Sequence, residues 1–465
     1  MVPLHQKAAF PVVPKFPVTQ PPFRFRFPMA TSQLIPQQQV DIQPNGTSRL
    51  YCDFISPGYN CRVWVDLAPF DQAPTVENNF ADAWIRMLIF EMMHVGGRFE
   101  VKGAVSLTLL RNLEHFMEAW SQMHPEYLNV VDIKPDRIID DRNAPVDDSA
   151  VALFSQGLDA TFALYRHASP HRKPRYDSLD VKACLLVQGG DRGLYEEPLF
   201  LRCYEKALST IEELGITHLL RCGSNYPEIF PLDTFWNNQL NWGFHWQLVH
   251  LAALTGMASF WQRDYGNVLV GSTYPYSSGV VDFGSNFVTD PLLSSRRFRV
   301  YEEGWGFTRS QKAKLVSQWE RGLRNLRVCW HSNPDQDNCG VCEKCFRTIL
   351  NFKASGAFYL RDISLDEIRD KEIWNEHIFY EYQTILEDAE KWGTSQEPWA
   401  QALKERLSLG VYPAPKPLTF PQRMGKRIKH FLYYKKEDAA SVRIKILGLR
   451  IYKRKKEGPL HQSRE

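Results

Sequence analysis

Four cysteines carry the clearest chemistry in this chain. In "RVCWHSNPDQDNCGVCEKCFRT", Cys329 is followed by Cys339, Cys342 and Cys345, the last three spaced two residues apart. A Cys-x2-Cys pair places two thiolates on one edge of a metal ion, and a third continues the turn. The fourth, from upstream, completes a tetrahedral zinc site with no open position. His331 stands in the same stretch and can replace one thiolate, although four cysteines is the simpler count. The same four ligands also suit an iron–sulfur cluster. A redox Cys-x-x-Cys would leave two of the cysteines unused.

A second constellation, "ALFSQGLDATFAL", reads as a buried strand, a sharp turn and a helix. Ser155 and Thr161 offer hydroxyls, and Gly157 lets the backbone approach an anion. The helix that follows presents free N–H groups and the positive end of its dipole. Phe154, Ser155, Gln156, Gly157, Leu158, Asp159, Ala160 and Thr161 are therefore the candidate nucleotide-binding residues. Asp159 is an acid beside an expected phosphate, which is tolerable if it holds Mg²⁺ or structures the loop.

The elements around these residues alternate. From Ala150 the pattern runs strand, helix (Thr161 to His167), strand ("KACLLVQG"), helix ("FLRCYEKALSTIEELG"), strand ("THLLRCG"), helix ("WGFHWQLVHLAALTGMASFW") and strand ("GNVLVGS"). That order predicts an α/β fold, a parallel doubly wound sheet with helices on both faces and the ligand at the carboxyl ends of the strands.

At 465 residues the chain is long enough for two or three domains at about 150 residues each. Residues 1–40, rich in Pro, Gln and Phe, read as a disordered leader, with Met29 an alternative start. Residues 41–145 read as a small α+β domain in which "NFADAWIRMLIFEMMHVG" is an amphipathic helix stopped by glycine. Residues 149–352 form the expected nucleotide domain with the cysteine site, 353–410 a helical segment, and 411–465 a basic flexible tail.

A formal charge of +3 gives no signal for specific nucleic-acid binding by the body of the chain. Neither a secretory signal nor a membrane span is evident, so a cytoplasmic protein is expected, with weak membrane-surface contact open to the basic tail. Nine cysteines, an odd number, argue against a disulfide framework.

Taken together, "FSQGLDAT" resembles the Ser-Gly-Gly-x-Asp-Ser loop of the PP-loop ATP pyrophosphatases (adenine nucleotide alpha hydrolase-like, HUP-like folds). "CWHSNPDQDNCGVCEKCFRT" resembles the four-cysteine zinc site of 7-cyano-7-deazaguanine synthases. The resemblance spans about Ser149 to Phe352, and it implies nucleotide and substrate contacts after the predicted strands, where Asp191, Asn225, Ser285, Asn286 and Asp290 are the candidate pocket residues. It implies structural zinc, ATP and Mg²⁺ as cofactors, and a ligase or amidating chemistry. ATP would adenylate a small-molecule or conjugated acid, pyrophosphate would leave, and a nucleophile such as ammonia would displace AMP. Loop N–H groups, Mg²⁺ and basic residues would neutralise charge, with Lys312, Lys314, Arg296 and Arg297 as candidates.

Two positions depart from the family loop. Gln156 replaces its second glycine, costing about 1 kcal/mol if φ must be positive there. Ala160 replaces its serine and removes a hydroxyl near the phosphates, a loss of about 1.5–3 kcal/mol if that bond was to a charged group. The added front and rear segments look more like the larger relatives found with polysaccharide-assembly proteins. A catalytically silent binding or scaffold protein and an authentic 7-cyano-7-deazaguanine synthase stay open as alternatives.

Overall fold

The computed structural model describes residues 31–37, 39–69, 81–169, 176–188, 197–230, 235, 242–281, 283–329, 337–411, 433–437, 441–446 and 449–454. Two compact units result, Met1–Thr348 and Ile349–Glu465.

The first unit is built on eleven strands: β1 (Thr31–Pro36), β2 (Asp41–Ile42), β3 (Ser48–Ser56), β4 (Tyr59–Ala68), β5 (Gly97–Ser106), β6 (Val131–Ile139), β7 (Ser149–Leu153), β8 (Asp180–Gln188), β9 (His218–Ser224), β10 (Asn267–Gly271) and β11 (Arg299–Glu303). They form one sheet in the order β11-β10-β7-β8-β9-β4-β3-β1-β5-β6, with β2 on β3. The five strands from β11 to β9 are mutually parallel. Their apolar runs, such as "ACLL" in β8, are buried, as a sheet covered on both faces requires. In β3, by contrast, buried and half-buried residues alternate along its length, with Leu50, Cys52 and Phe54 inward.

Helices α1 (Ala81–Val95), α2 (Leu107–Met123), α3 (Leu158–Ala168), α4 (Glu197–Glu212), α5 (Tyr226–Ile229) and α6 (Trp242–Ala258) lie between the strands in sequence, α7 (Arg309–Val316) and α8 (Glu320–Arg324) follow β11, and α9 (Glu343–Ala354) runs across the boundary at Thr348. The parallel βα order expected from Ala150 onward is present, and the molecule is α/β with a mostly parallel central sheet.

The expected independence of residues 41–145 is not observed. Strand β4 pairs antiparallel with β9, Val65–Ala68 against Arg221–Ser224, so the two halves share one sheet. Nor is α1 amphipathic in use: every residue from Ala81 to Met93 is buried. Helix α6 lies against it, and a Cβ at Gly256 would stand 2.6 Å from the Met87 backbone nitrogen. Two polar side chains of α1 find long-range partners: Arg86 Nε donates to the Leu293 carbonyl at 2.8 Å, and Asp82 accepts the Ser106 N–H at 2.9 Å.

The leader also ends earlier than expected. "TSQLIP" forms β1, parallel to β5 and antiparallel to β3, with Leu34 fully buried. Residues 1–30 lie outside the described residues.

The second unit holds α10 (Leu365–Arg369), α11 (Glu376–Trp392) and α12 (Pro398–Ser408), which fits the expected helical segment. Ser364 and Glu367 form a capping box on α10, and Gly393, at φ 78, ends α11. The expected flexible tail contains three antiparallel strands, β12 (Tyr433–Glu437), β13 (Ser441–Ile446) and β14 (Leu449–Arg454). In "VRIKI" of β13 and "LRI" of β14, apolar and basic residues alternate with the period of a strand. Among the described residues, no helix is long and apolar enough to cross a membrane.

Candidate functional site

Strand β7 ends at Leu153 and α3 begins at Leu158, so the turn is Phe154–Gly157. Phe154 is buried and its N–H donates to the Leu185 carbonyl, fixing the turn to β8. Gln156 has φ 62, the left-handed region that favours glycine. Its carboxamide is buried and donates through Nε2 to the Cys203 carbonyl of α4 at 2.5 Å. The backbone therefore takes a shape that suits glycine, while the side chain is turned into the wall of the protein.

Ser155 is exposed, and its Oγ accepts the Gly157 N–H at 3.3 Å. Helix α3 starts without a side-chain cap at Gly157. Its first-turn N–H groups at Leu158, Asp159 and Ala160 have no intrahelical acceptor and mark the positive end of the dipole. Thr161 is buried and donates its N–H to the Gly157 carbonyl. The end of β10 passes close by: a Cβ at Gly271 would lie 2.3 Å from the Asp159 carbonyl oxygen.

Three cations converge on this turn. Arg309 donates to Asp159 at 2.6 Å, and Lys312, fully buried, donates to Asp159 at 3.2 Å and to Ser272 Oγ at 3.2 Å. Burial raises the Asp159 carboxyl, but the charges of Arg309 and Lys312 prevail and hold it below its usual range. Burial also draws the Lys312 ammonium below the ordinary lysine range, against the pull of Asp159. Asp159 thus structures the loop. Two cations against one carboxylate leave the trio one positive charge. Arg327 donates through Nη2 to the Ser155 carbonyl at 3.2 Å. The Nε atoms of Arg309 and Arg327 are buried without a hydrogen-bond partner.

A carboxyl pair lies beyond Lys312. Glu302, near the carboxyl end of β11, accepts from Ser285 Oγ at 2.9 Å and from Trp305 Nε1 at 2.8 Å. Asp290 is buried beside it. Burial, and then the Glu302 charge, push Asp290 well above the usual carboxylate range, and burial raises Glu302 as well. Burial and the neighbouring charge thus favour the protonated form of this pair.

The expected pocket residues therefore divide. Ser285 and Asp290 meet at Glu302. Asn286 is buried in the same loop and accepts the N–H groups of Val288 and Thr289. Asn225 lies elsewhere, where it extends the β4–β9 junction by accepting the Trp64 N–H at 2.8 Å and donating to the Arg62 carbonyl at 3.0 Å. Asp191 and His331 lie outside the described residues.

Of the expected cations, Lys312 is at the turn, and Lys314 is exposed on α7. Arg296 and Arg297 precede β11, at the end of the strand away from Glu302. Arg296 is held there by Thr108 and Ala144. Ser272, Glu302, Arg309 and Arg327 are site residues that the sequence pattern did not reveal. Ser272 alone carried a signal, because it is the last residue of a predicted strand, at its carboxyl end.

The four cysteines do come together. One sulfur from each of Cys329, Cys339, Cys342 and Cys345 lies within 4.8 Å of the others. Cys329 and Cys342 sulfurs are 3.9 Å apart, and a zinc tetrahedron with bonds of about 2.3 Å has edges of about 3.8 Å. The backbone N–H groups of Cys339, Cys342 and Cys345 point at Cys329, Cys339 and Cys342 sulfurs, respectively. Hydrogen bonding with Cys342, and then burial, push the Cys345 thiol far up. Four sulfurs this close need a cation to become thiolates together, so the set fits a metal ion such as zinc. A buried Arg347–Glu343 pair at 2.7 Å braces the first turn of α9, which carries Cys345.

Comparison with known proteins leaves the argument to the geometry. No family model matches the chain, and neither the curated proteins nor the solved structures include a match.

Proposed function

We propose that the protein binds ATP at the Phe154–Thr161 turn and uses it to adenylate an acid, releasing pyrophosphate before a nucleophile such as ammonia displaces AMP. The observation that carries this reading is the turn: Gln156 adopts the left-handed conformation of a phosphate loop, before an uncapped helix and between Arg309 and Arg327. Helix N–H groups and the dipole would take the phosphate charge. Arg309 and Arg327 would donate to phosphate oxygens, while buried Lys312 and Asp159 hold α3 in place. Ala160 contributes its N–H alone.

Magnesium supplies charge neutralisation when it arrives with ATP. Asp159 is already committed to two cations, so the turn itself offers no ready carboxylate for that ion. We assign the cysteine centre to structural zinc, because four thiolates leave no position for substrate.

A catalytically silent ATP-binding protein is the second reading, favoured by Ala160 and by the pairing of Asp159. The separating experiment incubates the full chain with Mg-ATP, ammonia and a panel of acids that includes 7-carboxy-7-deazaguanine. AMP and pyrophosphate released with one acid support the ligase and name its substrate. ATP binding without release from any acid supports the silent protein.

A further inference from the structure

The cysteine centre and the phosphate turn are connected by hydrogen bonds. Arg327, two residues before Cys329, donates its backbone N–H to the Gln156 carbonyl at 2.8 Å and its guanidinium to the Ser155 carbonyl at 3.2 Å. On the other side, Asn338 immediately precedes Cys339. Its Oδ1 accepts the N–H groups of Val328 at 2.8 Å and Cys329 at 3.1 Å, and its Nδ2 donates to the Leu326 carbonyl at 2.8 Å. Segment 326–329 is thus held between Asn338 and the turn. Its position depends on Cys329 staying with the other three sulfurs.

Gln156 needs such support. A non-glycine residue in the left-handed region persists only where its surroundings over-determine it. Here the holds are the Cys203 carbonyl on the side chain and the Arg327 N–H on the main chain.

We propose that Arg327, besides donating to phosphate, positions the turn through its bonds to the Gln156 and Ser155 carbonyls, so that metal occupancy of the four-cysteine centre sets the anion affinity of the Phe154–Thr161 turn. This inference rests on the turn being a phosphate site. With metal bound, segment 326–329 holds the Gln156 carbonyl and the turn presents its N–H groups. Without metal, the clamp loosens and Gln156 leaves the left-handed conformation for part of the time. If the competent form falls to about a tenth of the population, apparent Kd rises about tenfold.

The test uses the full chain zinc-loaded, stripped by chelator, and reloaded. Each form is titrated with Mg-ATP and with inorganic pyrophosphate, and amide exchange is followed in peptides covering 150–165. The expected result is about tenfold weaker binding on stripping, faster exchange in the turn, and recovery of both on adding zinc. Asn338→Ala at full zinc content should weaken binding several-fold and also speed turn exchange. It decides the matter if the stripped protein unfolds. A folded stripped protein with unchanged affinity and unchanged turn exchange overturns the proposal, as does an Asn338→Ala protein identical to wild type in both. If the loaded protein binds neither probe, the phosphate reading fails, and exchange in the turn still decides whether the two sites are coupled.

Discussion

Replacing Gln156 separates the two contributions that fix the turn. Gln156→Ala removes the carboxamide bond to Cys203, worth about 1 kcal/mol net. It also loses buried contacts worth about another 1 kcal/mol, while the left-handed strain at φ 62 stays. A destabilisation of about 2 kcal/mol is expected. Gln156→Gly suffers the same losses but relieves a strain of about 1–2 kcal/mol. Glycine returns about 0.5–1 kcal/mol of that in chain entropy. The glycine variant should therefore be the more stable of the two, by about 0.5–1 kcal/mol. Urea unfolding of both proteins, zinc-loaded and at one pH, resolves that difference. An alanine variant as stable as the glycine variant would refute the claim that a strained backbone is held at this position.

Other consequences follow from the same contacts. Asp159→Asn leaves Lys312 buried without its anion and should cost about 3 kcal/mol in denaturant unfolding. Because the Asp159 carboxyl is held below its usual range, its stabilisation is present above the unfolded value of 3.8 and lost as pH falls through the lower folded value. Acid unfolding of the Asn variant should be correspondingly less steep; an unchanged acid limb would contradict the pairing. Asp290 behaves in the opposite sense. Its folded value is raised, so the fold loses stability as pH rises above 3.8 toward that value. Asp290→Asn should lose less stability than wild type as pH rises above 3.8. Gly271→Ala would drive a Cβ to 2.3 Å from a backbone oxygen of α3, and should cost about 3 kcal/mol with loss of ATP binding. Cys342→Ser should lower bound zinc by metal analysis, and an unchanged zinc content would remove the site.

Local patterns made the parallel half of the sheet legible. Strands β7 to β10 are short apolar runs, helices α3 and α4 carry a helical period, α6 is a longer apolar stretch, and the turn falls between β7 and α3. The four cysteines announced their cluster by spacing, while positive φ at Gln156 entered only as a condition, suggested by the glycine at that place in the loop it resembles. What stayed hidden depends on long-range pairing. Nothing in "RVWVDL" says that β4 will join β9, and nothing in α1 says that α6 will cover its outer face. The six residues of β1 are masked by the Pro- and Gln-rich segment before them, and the basic residues of β13 and β14 obscured a two-residue alternation. Arg309 and Arg327 reach the turn only because α7 and the cysteine segment fold back over it, far from Ser155 in sequence. Asn225 had the right place relative to its strand, yet the neighbouring strand β4 engages it.

The central claim is that the turn holds the phosphates of ATP, and direct titration of the zinc-loaded full chain with Mg-ATP tests it. Saturable binding with Kd below about 1 mM, weakened at least about tenfold by Arg309→Ala, is the predicted result. An absence of binding at that concentration, or binding indifferent to Arg309, would contradict it.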